Sequence, residues 1–259
     1  MYSFVIFKIK KAGKVMGFFS SHPNNFVLEE FDMMHISAIG FFALAILIMI
    51  IFRKKIANWK HEKTFRYVIT FLAIAFEITY KIWSAYAEDV TFLKDYLPLD
   101  LCAISLYLSW VLMFTKKEWI FKLIYFYSLG AMVSLFVPDL GGYGIDHFRY
   151  YDYFYVHGYI VFTSFYFVFV YDYKIKFKDL IKATLLLLVI ASFTLLIDFL
   201  VNANYMFLME KPEVSSPLDL FGPWPDFVFG MICVVIGVFI LAYLPWVFVN
   251  LKHKVANKE

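Results

Sequence analysis

Residues 34–52 read MHISAIGFFALAILIMIIF, an apolar run without acidic residues, lysine or arginine. Because an α-helix rises about 1.5 Å per residue, a run of roughly 20 apolar residues matches the roughly 30 Å hydrocarbon core of a bilayer. Similar runs follow at 65–87, 97–114, 119–137, 150–171, 180–201 and 227–249. The sequence therefore predicts an all-α, polytopic membrane protein with seven transmembrane helices.

The composition of the whole chain supports a membrane protein. Of 259 residues, 62% are hydrophobic, 22% are aromatic and only 17% are charged, whereas soluble domains carry roughly 25% charged residues. The net charge of +3 comes without a basic patch interleaved with base-stacking aromatic residues, so we expect no nucleic-acid binding. Both cysteines, Cys102 and Cys233, lie in apolar runs and give no sign of a disulfide framework.

The charge of the connecting segments alternates along the chain. Lysine and arginine are concentrated at 53–63, 116–117, 174–178 and 252–258, and acidic residues are concentrated at 88–95, 139–146 and 210–219. Because basic loops stay on the cytoplasmic side, the N-terminus is predicted outside and the C-terminus in the cytoplasm. We expect a multi-pass protein of a bacterial plasma membrane.

The chain is predicted to form one domain with two short extensions. Residues 33–251 form the seven-helix membrane domain, and 252–259 form a basic cytoplasmic tail. Residues 1–32 form an N-terminal extension whose lysines, between Lys8 and Lys14, lie outside in this topology. An amphipathic helix at the membrane interface explains them, and a mis-assigned start or a disordered extension is the alternative.

His157 carries the strongest functional signal of the polar residues at membrane depth. Ionisable groups are costly there and mark sites by default. His157 lies about two turns into the fifth predicted span and precedes Gly158, which lets another helix or a ligand approach closely. An imidazole is suited to proton transfer near neutrality, although a core histidine bonded to a tyrosine or a backbone carbonyl is the alternative.

The stretch LPLDLC, residues 97–102, places a carboxylate and a thiol at the start of the third predicted span. Asp100 either stabilises the helix N-terminus or serves as the partner of His157. Cys102 is either a nucleophile or an inert small hydrophobic residue.

In the second span Glu77 and Lys81 lie one turn apart, so they neutralise each other or leave one partner for a substrate or a catalytic histidine.

The predicted site lies in the outer half of the bundle. Its catalytic candidates are His157, Asp100, Glu77 and Cys102. Its substrate-binding candidates are Arg149, Lys81, His147, Asn204, His35 and Trp224. The guanidinium of Arg149 suits an anionic lipid head group, and anchoring of the helix is its alternative role. A phosphate-binding loop, a dinucleotide glycine pattern and a zinc helix are absent, so no metal or cofactor is predicted.

A combination of short motifs carries a family resemblance over roughly residues 30–250. The motifs are Glu77…Trp83, Leu97-Pro98-Leu99, Leu101-Cys102, Pro138-Asp139, His147-Phe148-Arg149-Tyr150, His157-Gly158, Asn204-Tyr205-Met206-Phe207-Leu208, Lys211-Pro212 and Gly222-Pro223-Trp224-Pro225. Together they resemble the YwaF-type family of bacterial integral membrane proteins. That family is remotely similar to the eukaryotic transmembrane protein 164 family, which is implicated in cysteine-dependent transfer of acyl chains between phospholipids.

The resemblance implies a lipid acyltransferase or hydrolase, with two departures. The bacterial pattern usually has a histidine where this chain has Asp100, so that role passes to a carboxylate. The register of the eukaryotic motif places its cysteine at Leu99 rather than at Cys102. This favours a non-covalent variant in which His157 is the general base for a lipid hydroxyl or water.

Three functions follow from these residues. The first is an acyltransferase or hydrolase that acts on membrane lipid. The second is a small transporter or solute-binding protein with a polar site at the midplane. The third is an assembly protein without chemistry. We expect hydrogen bonds from His157 to Asp100, Glu77 or Cys102 in the first case, and a water path to both faces in the second.

Overall fold

The computed structural model describes residues 17–87, 91–212 and 217–256, and every element in these ranges is helical. The α-helices are α1 (Met33–Ile51), α2 (Arg53–Ala57), α3 (Glu62–Ala87), α4 (Leu101–Thr115), α5 (Glu118–Phe136), α6 (Phe148–Phe169), α7 (Phe177–Val201) and α8 (Asp226–Ala256). Short π and 3₁₀ helices occupy Phe92–Tyr96, Tyr205–Phe207 and Pro217–Leu220. The predicted all-α class is confirmed.

Each predicted span overlaps one α-helix of the structure, and α2 is an additional short helix in the first basic connection. Of the described helices, α1, α3, α5, α7 and α8 are long and apolar enough to cross a membrane. The apolar helix α4 has 15 residues, which corresponds to only about 22 Å. The 22 residues of α6 include an arginine, an aspartate and several tyrosines, which lower its hydropathy.

The polar composition of α6 agrees with its position at the centre of the bundle. This helix packs against α1, α3, α4 and α5. Because these neighbours cover it, its tyrosine hydroxyls meet protein rather than lipid. They donate to backbone carbonyls of the surrounding helices: Tyr150 to Met34 at 2.8 Å, Tyr153 to Ser134 at 3.0 Å and Tyr155 to Ile69 at 3.0 Å. Helix α7 packs farther out, against α5 and α8.

Gly158 of α6 lies directly against Phe42 of α1. A Cβ atom built at this position would overlap the ring of Phe42 on α1. The ring occupies the space that a side chain would need, so larger residues would push the two helices apart. The prediction that this glycine admits another helix is confirmed.

The described part of the N-terminal extension, residues 17–32, contains no α-helix. It lies against the ends of α3 and α6, where Trp83 Nε1 donates to the Ser20 carbonyl at 3.1 Å and the Phe148 N–H donates to the Phe18 carbonyl at 2.9 Å. Residues 1–16, on which the predicted amphipathic helix mainly falls, are outside the described residues. At the other terminus α8 continues to Ala256, through most of the predicted tail 252–259; residues 257–259 are also outside the described part.

Candidate functional site

A cleft of about 300 Å³ opens at one end of the bundle, where α3 ends and α4 begins. It is lined by polar and aromatic residues: Tyr80, Ser84, Lys94, Asp95, Tyr96, Asp100, Asn204 and Tyr205. Two predicted site residues, Asp100 and Asn204, are therefore in its wall. We call this end of the bundle the cleft end and the opposite end, where α3 begins, the far end.

Asp100 fixes the segment that follows α7. It is the N-cap residue of α4, but its side chain makes no capping hydrogen bond. Its Oδ1 instead accepts the backbone N–H of Met206 at 2.9 Å, while Oδ1 of Asp198 accepts the N–H of Tyr205 at 3.0 Å. The carboxylates of Asp198 and Asp100 thus accept the N–H groups of two consecutive residues. In the described part of the chain no hydrogen bond joins Asp100 to His157.

His157 is oriented by its own helix. Its Nδ1 lies 2.8 Å from the carbonyl oxygen of Tyr153, one turn earlier in α6. Because a carbonyl can only accept, Nδ1 carries the proton and Nε2 keeps its lone pair. Nε2 has no hydrogen-bond partner among the described residues, and the side chain is half-buried. A bond to a backbone carbonyl is the arrangement given above as the alternative to a catalytic histidine, and the hydrogen bonds expected from His157 to Asp100, Glu77 or Cys102 are absent among the described residues. In the neutral ring Nε2 remains able to accept a proton.

Tyr153 connects His157 to Cys102. Its ring lies against the imidazole with centroids 4.2 Å apart, and its hydroxyl donates to the Ser134 carbonyl at 3.0 Å. The Ser134 hydroxyl lies 3.9 Å from Cys102 Sγ. We call Cys102, Ser134, Tyr153 and His157 the thiol–imidazole cluster. The polar neighbour of the thiol in the described structure is the serine hydroxyl, and no hydrogen bond there joins the thiol to the imidazole.

Four ionisable side chains of α3 and α6 lie beside the cleft, and we call Glu77, Lys81, Arg149 and Asp152 the cleft-end charge cluster. Lys81 Nζ is 3.8 Å from Glu77 Oε1, and Arg149 Nη1 is 2.9 Å from Asp152 Oδ2. Both cations lie over the ring of Tyr80, Lys81 at 5.5 Å and Arg149 at 4.3 Å. The cations of both ion pairs thus lie over the ring of one cleft-lining residue, Tyr80, and the charges within each pair cancel.

Asp152 is a candidate that the sequence analysis misses. Its residue surface is 4% exposed, and its Oδ1 has no hydrogen-bond partner among the described residues. The signal in the sequence is its spacing from Arg149, because residues three apart on a helix are neighbours. The aromatic run around it reads as a buried helix face, in which a lone acid needs a partner of this kind.

His147 begins α6, and both of its ring nitrogens are bonded to the backbone. Nδ1 accepts the N–H of Arg149 at 3.0 Å, and Nε2 lies 2.9 Å from the Ser20 carbonyl, to which it must donate. Burial lowers the pKa of this imidazole, which favours the neutral form that Nδ1 needs as an acceptor. The histidine predicted to bind substrate therefore joins α6 to the N-terminal segment, with neither nitrogen left for a ligand.

His35 has the same arrangement in α1. Its Nδ1 accepts the N–H of Phe31 at 2.8 Å, and its Nε2 lies 2.8 Å from the Leu135 carbonyl at the end of α5. The side chain is fully buried. Both ring nitrogens of His35 are thus engaged. Instead of the predicted contact with substrate, Nε2 makes a bond that joins α1 to α5.

Asn204 and Trp224 shape the segment over the cleft end. Oδ1 of Asn204 accepts the N–H groups of Met209 and Glu210 at 2.9 and 3.0 Å, and its Nδ2 donates to the Glu210 carbonyl at 3.0 Å. Trp224 Nε1 donates to the Leu208 carbonyl at 3.2 Å, while the residue remains 47% exposed. The Asn204 amide is therefore engaged within the segment, whereas part of the Trp224 surface is open to a ligand or to lipid.

A second buried charged group lies at the far end, and we call Glu62, Arg66, Tyr166 and Tyr171 the far-end charge cluster. Glu62 Oε1 accepts three hydrogen bonds: from Arg66 Nε at 2.6 Å, Tyr166 at 2.8 Å and Tyr171 at 2.7 Å. Arg66 is 1% exposed. The sequence analysis misses this cluster because Glu62 reads as part of a solvated basic loop.

Among the residues that the structure describes, no three His, Cys, Asp or Glu side chains converge as metal ligands do. The carboxylates are engaged instead by tyrosines, cations or backbone amides. The chemistry that these clusters offer a ligand is hydrogen bonding, ion pairing and proton transfer.

A comparison with protein families covers most of the chain. The model of the TMEM164 family matches residues 20–243, which include every candidate site residue from His35 to Trp224. No curated protein and no solved structure matches the chain.

Proposed function

The chain belongs to the TMEM164 family, and from that premise we propose that it is a membrane-embedded enzyme that transfers or hydrolyses the acyl chains of lipids. Its motifs favour the YwaF-type bacterial branch and a bacterial plasma membrane. We propose seven spans with the N-terminus outside. The two spans beyond the apolar five are α4 and α6, since neighbouring helices shield α6 and the turn of residues 97–100 precedes α4 at the cleft end.

The observation that carries the proposal is the thiol–imidazole cluster. One tyrosine and one serine link an imidazole that has a free Nε2 to a thiol, within a bundle whose outer helices are apolar. In the direct route, Nε2 of His157 takes a proton from water or a lipid hydroxyl as that oxygen attacks the ester carbonyl. The ester C–O bond then breaks, and the leaving alcohol receives the proton.

The covalent route uses Cys102 as the nucleophile. The thiol gives its proton to His157 Nε2 and attacks the ester, which releases an alcohol and leaves a thioester. Water or a second lipid hydroxyl then takes the acyl chain and restores the thiol. This route requires the imidazole to come closer to Cys102 than in the described arrangement.

The cleft-end charge cluster is the proposed place for the lipid head group. Arg149 and Lys81 line one side of Tyr80, and the cleft opens at the bundle end, where head groups of one leaflet lie. In this proposal Glu77 and Asp100 act in the head-group site, and His157 relies on the Tyr153 carbonyl for its orientation.

Lipid mass spectrometry of expressing cells tests the proposal. We expect wild type to change the acyl composition, and His157→Ala to lose that change at equal protein level. Cys233→Ala is the matched control, because Cys233 is exposed on α8. Loss of the change in Cys102→Ala selects the covalent route, and its retention selects the direct route. Identical profiles for wild type, His157→Ala and empty cells would overturn the proposal.

A further inference from the structure

Helix α3 carries a polar stripe from the far end to the cleft end. It consists of Glu62, Arg66, Thr70, Glu77, Lys81 and Ser84. At about 100° per residue these positions share one face of the helix. Glu62, Arg66, Thr70 and Ser84 are buried, and Glu77 and Lys81 are partly buried. The stripe therefore runs along nearly the whole length of α3, on a face that is buried or partly buried.

Polar groups of α6 and α4 face the same region. Thr70 Oγ1 lies 3.0 Å from the hydroxyl of Tyr159 on α6, and Thr70 also donates to the Arg66 carbonyl at 2.7 Å. Near the cleft end, the hydroxyl of Tyr107 on α4 donates to Glu77 at 3.0 Å. Polar side chains therefore join α3 to α6 at Thr70 and α3 to α4 at Glu77.

Several of these groups have hydrogen-bonding capacity left over. Among the described residues, eight buried polar side-chain atoms have no partner, and five of them belong to α3, α4 and α6: Arg66 Nη1, Ser109 Oγ, Trp110 Nε1, Asp152 Oδ1 and Thr163 Oγ1. Buried polar atoms in native proteins are normally satisfied by protein or by ordered water. Their concentration on three adjacent helices shows that the contact region between those helices is polar.

We propose that α3, α4 and α6 enclose a proton path between the cleft-end and far-end charge clusters. Asp152 is its end at the cleft, and Glu62 is its end at the far side. Between them each hydroxyl or water accepts one proton and releases another, so no group changes its net charge. Glu62 neutralises Arg66 at 2.6 Å, which reduces the repulsion that this guanidinium would exert on a proton. The path does not depend on the lipid chemistry proposed above.

Thr70 and Thr79 form a matched pair for testing the path. Each hydroxyl donates to the carbonyl four residues earlier, at 2.7 Å in both cases. Only Thr70 also meets Tyr159, because Thr79 lies on the opposite side of α3. A valine in either position keeps the shape of the side chain and removes the hydroxyl.

The experiment uses the full chain in vesicles of phosphatidylcholine and phosphatidylglycerol with a pH-sensitive dye inside. A potassium gradient with valinomycin supplies the driving force. We expect wild type to acidify or alkalinise the lumen several-fold faster than protein-free vesicles. Thr70→Val should lower that rate several-fold, and Thr79→Val should leave it unchanged.

Two results would overturn the proton path. One is a wild-type rate equal to that of protein-free vesicles. The other is an elevated rate that Thr70→Val and Thr79→Val share, which marks a non-specific leak. If Thr70→Val does not fold, Thr163→Val decides, because Thr163 lies one turn from Tyr159 on the same face of α6 and its hydroxyl has no hydrogen-bond partner to lose among the described residues. We expect a slower rate in this variant, and an unchanged rate would count against the path.

Discussion

The two charge clusters contain similar side chains but hold them differently. At the far end one oxygen of Glu62 accepts three bonds of 2.6–2.8 Å, and Arg66 is 1% exposed. At the cleft end Lys81 is 3.8 Å from Glu77, and its side chain is 31% exposed. The comparison teaches that the far-end carboxylate is committed to joining α3 with α6, whereas the looser Glu77–Lys81 pair beside the cleft can exchange partners with a ligand.

The largest effect is expected from Glu62→Ala. This change leaves the buried Arg66 and two tyrosine hydroxyls without their acceptor, and breaking a buried ion pair in this way costs about 3–5 kcal/mol. The matched control is Glu118→Ala, because Glu118 is 56% exposed in its ion pair with Lys122; exposed pairs contribute about 0–1 kcal/mol. Unfolding in detergent measures both, and equal losses would show that the far-end cluster is not a structural joint.

Asp152→Asn is expected to have an intermediate effect at the cleft end. The amide keeps the shape of the side chain but withdraws the negative charge from Arg149. Because the rings of Tyr80 and Trp83 still support the guanidinium at 4.3 and 5.7 Å, we expect a loss of about 1–3 kcal/mol. The same unfolding measurement applies, with Asp172→Asn at an exposed position as the control. A loss as large as that of Glu62→Ala would remove the contrast between the two clusters.

The helices of this fold could be predicted because they depend on local properties of the sequence. The apolar run 34–52 needs only length and composition to predict α1, and the structure places this helix at Met33–Ile51. The central position of α6 in the bundle is harder to recognise from hydropathy. Its tyrosines and its ion pair lower that value, while the helices packed around it supply the apolar surroundings.

The candidate site could be predicted only in part, because availability of a side chain depends on distant segments. The sequence ranks His157 first, as a catalytic candidate, and gives His35 and His147 as substrate-binding candidates. Carbonyls of Leu135 and Ser20, each about a hundred residues away or more, occupy the latter two. His157 keeps a free nitrogen because its one bond is local, to Tyr153.

The pH dependence of the free energy of unfolding tests whether His147, at the N-terminus of α6, is neutral in the folded protein. Burial lowers the folded-state pKa of His147 below the unfolded value of about 6.5, so the unfolded chain binds a proton first. The contribution of this residue is therefore present above about pH 6.5 and is lost as the pH falls, by at most about 1.4 kcal/mol per pH unit. His147→Asn keeps an acceptor for the Arg149 N–H without titrating. The free energy of unfolding, measured from pH 8 to pH 5, should depend less on pH in the variant than in wild type. An identical pH dependence would contradict a neutral imidazole at His147.

The smallest effect on stability is expected from Lys81→Met. The loose pair with Glu77 contributes about 0–1 kcal/mol, and the methionine keeps an apolar stem against Tyr80 and Tyr96. Lys122→Met is the matched control, because Lys122 pairs with Glu118 at 2.8 Å and with Asp179 at 3.9 Å, away from the cleft. If the cleft holds the lipid head group, Lys81→Met lowers lipid conversion several-fold while Lys122→Met preserves it, although both variants unfold close to wild type. Equal lipid conversion in the two variants would mean that the Glu77–Lys81 pair does not take part in binding the lipid head group.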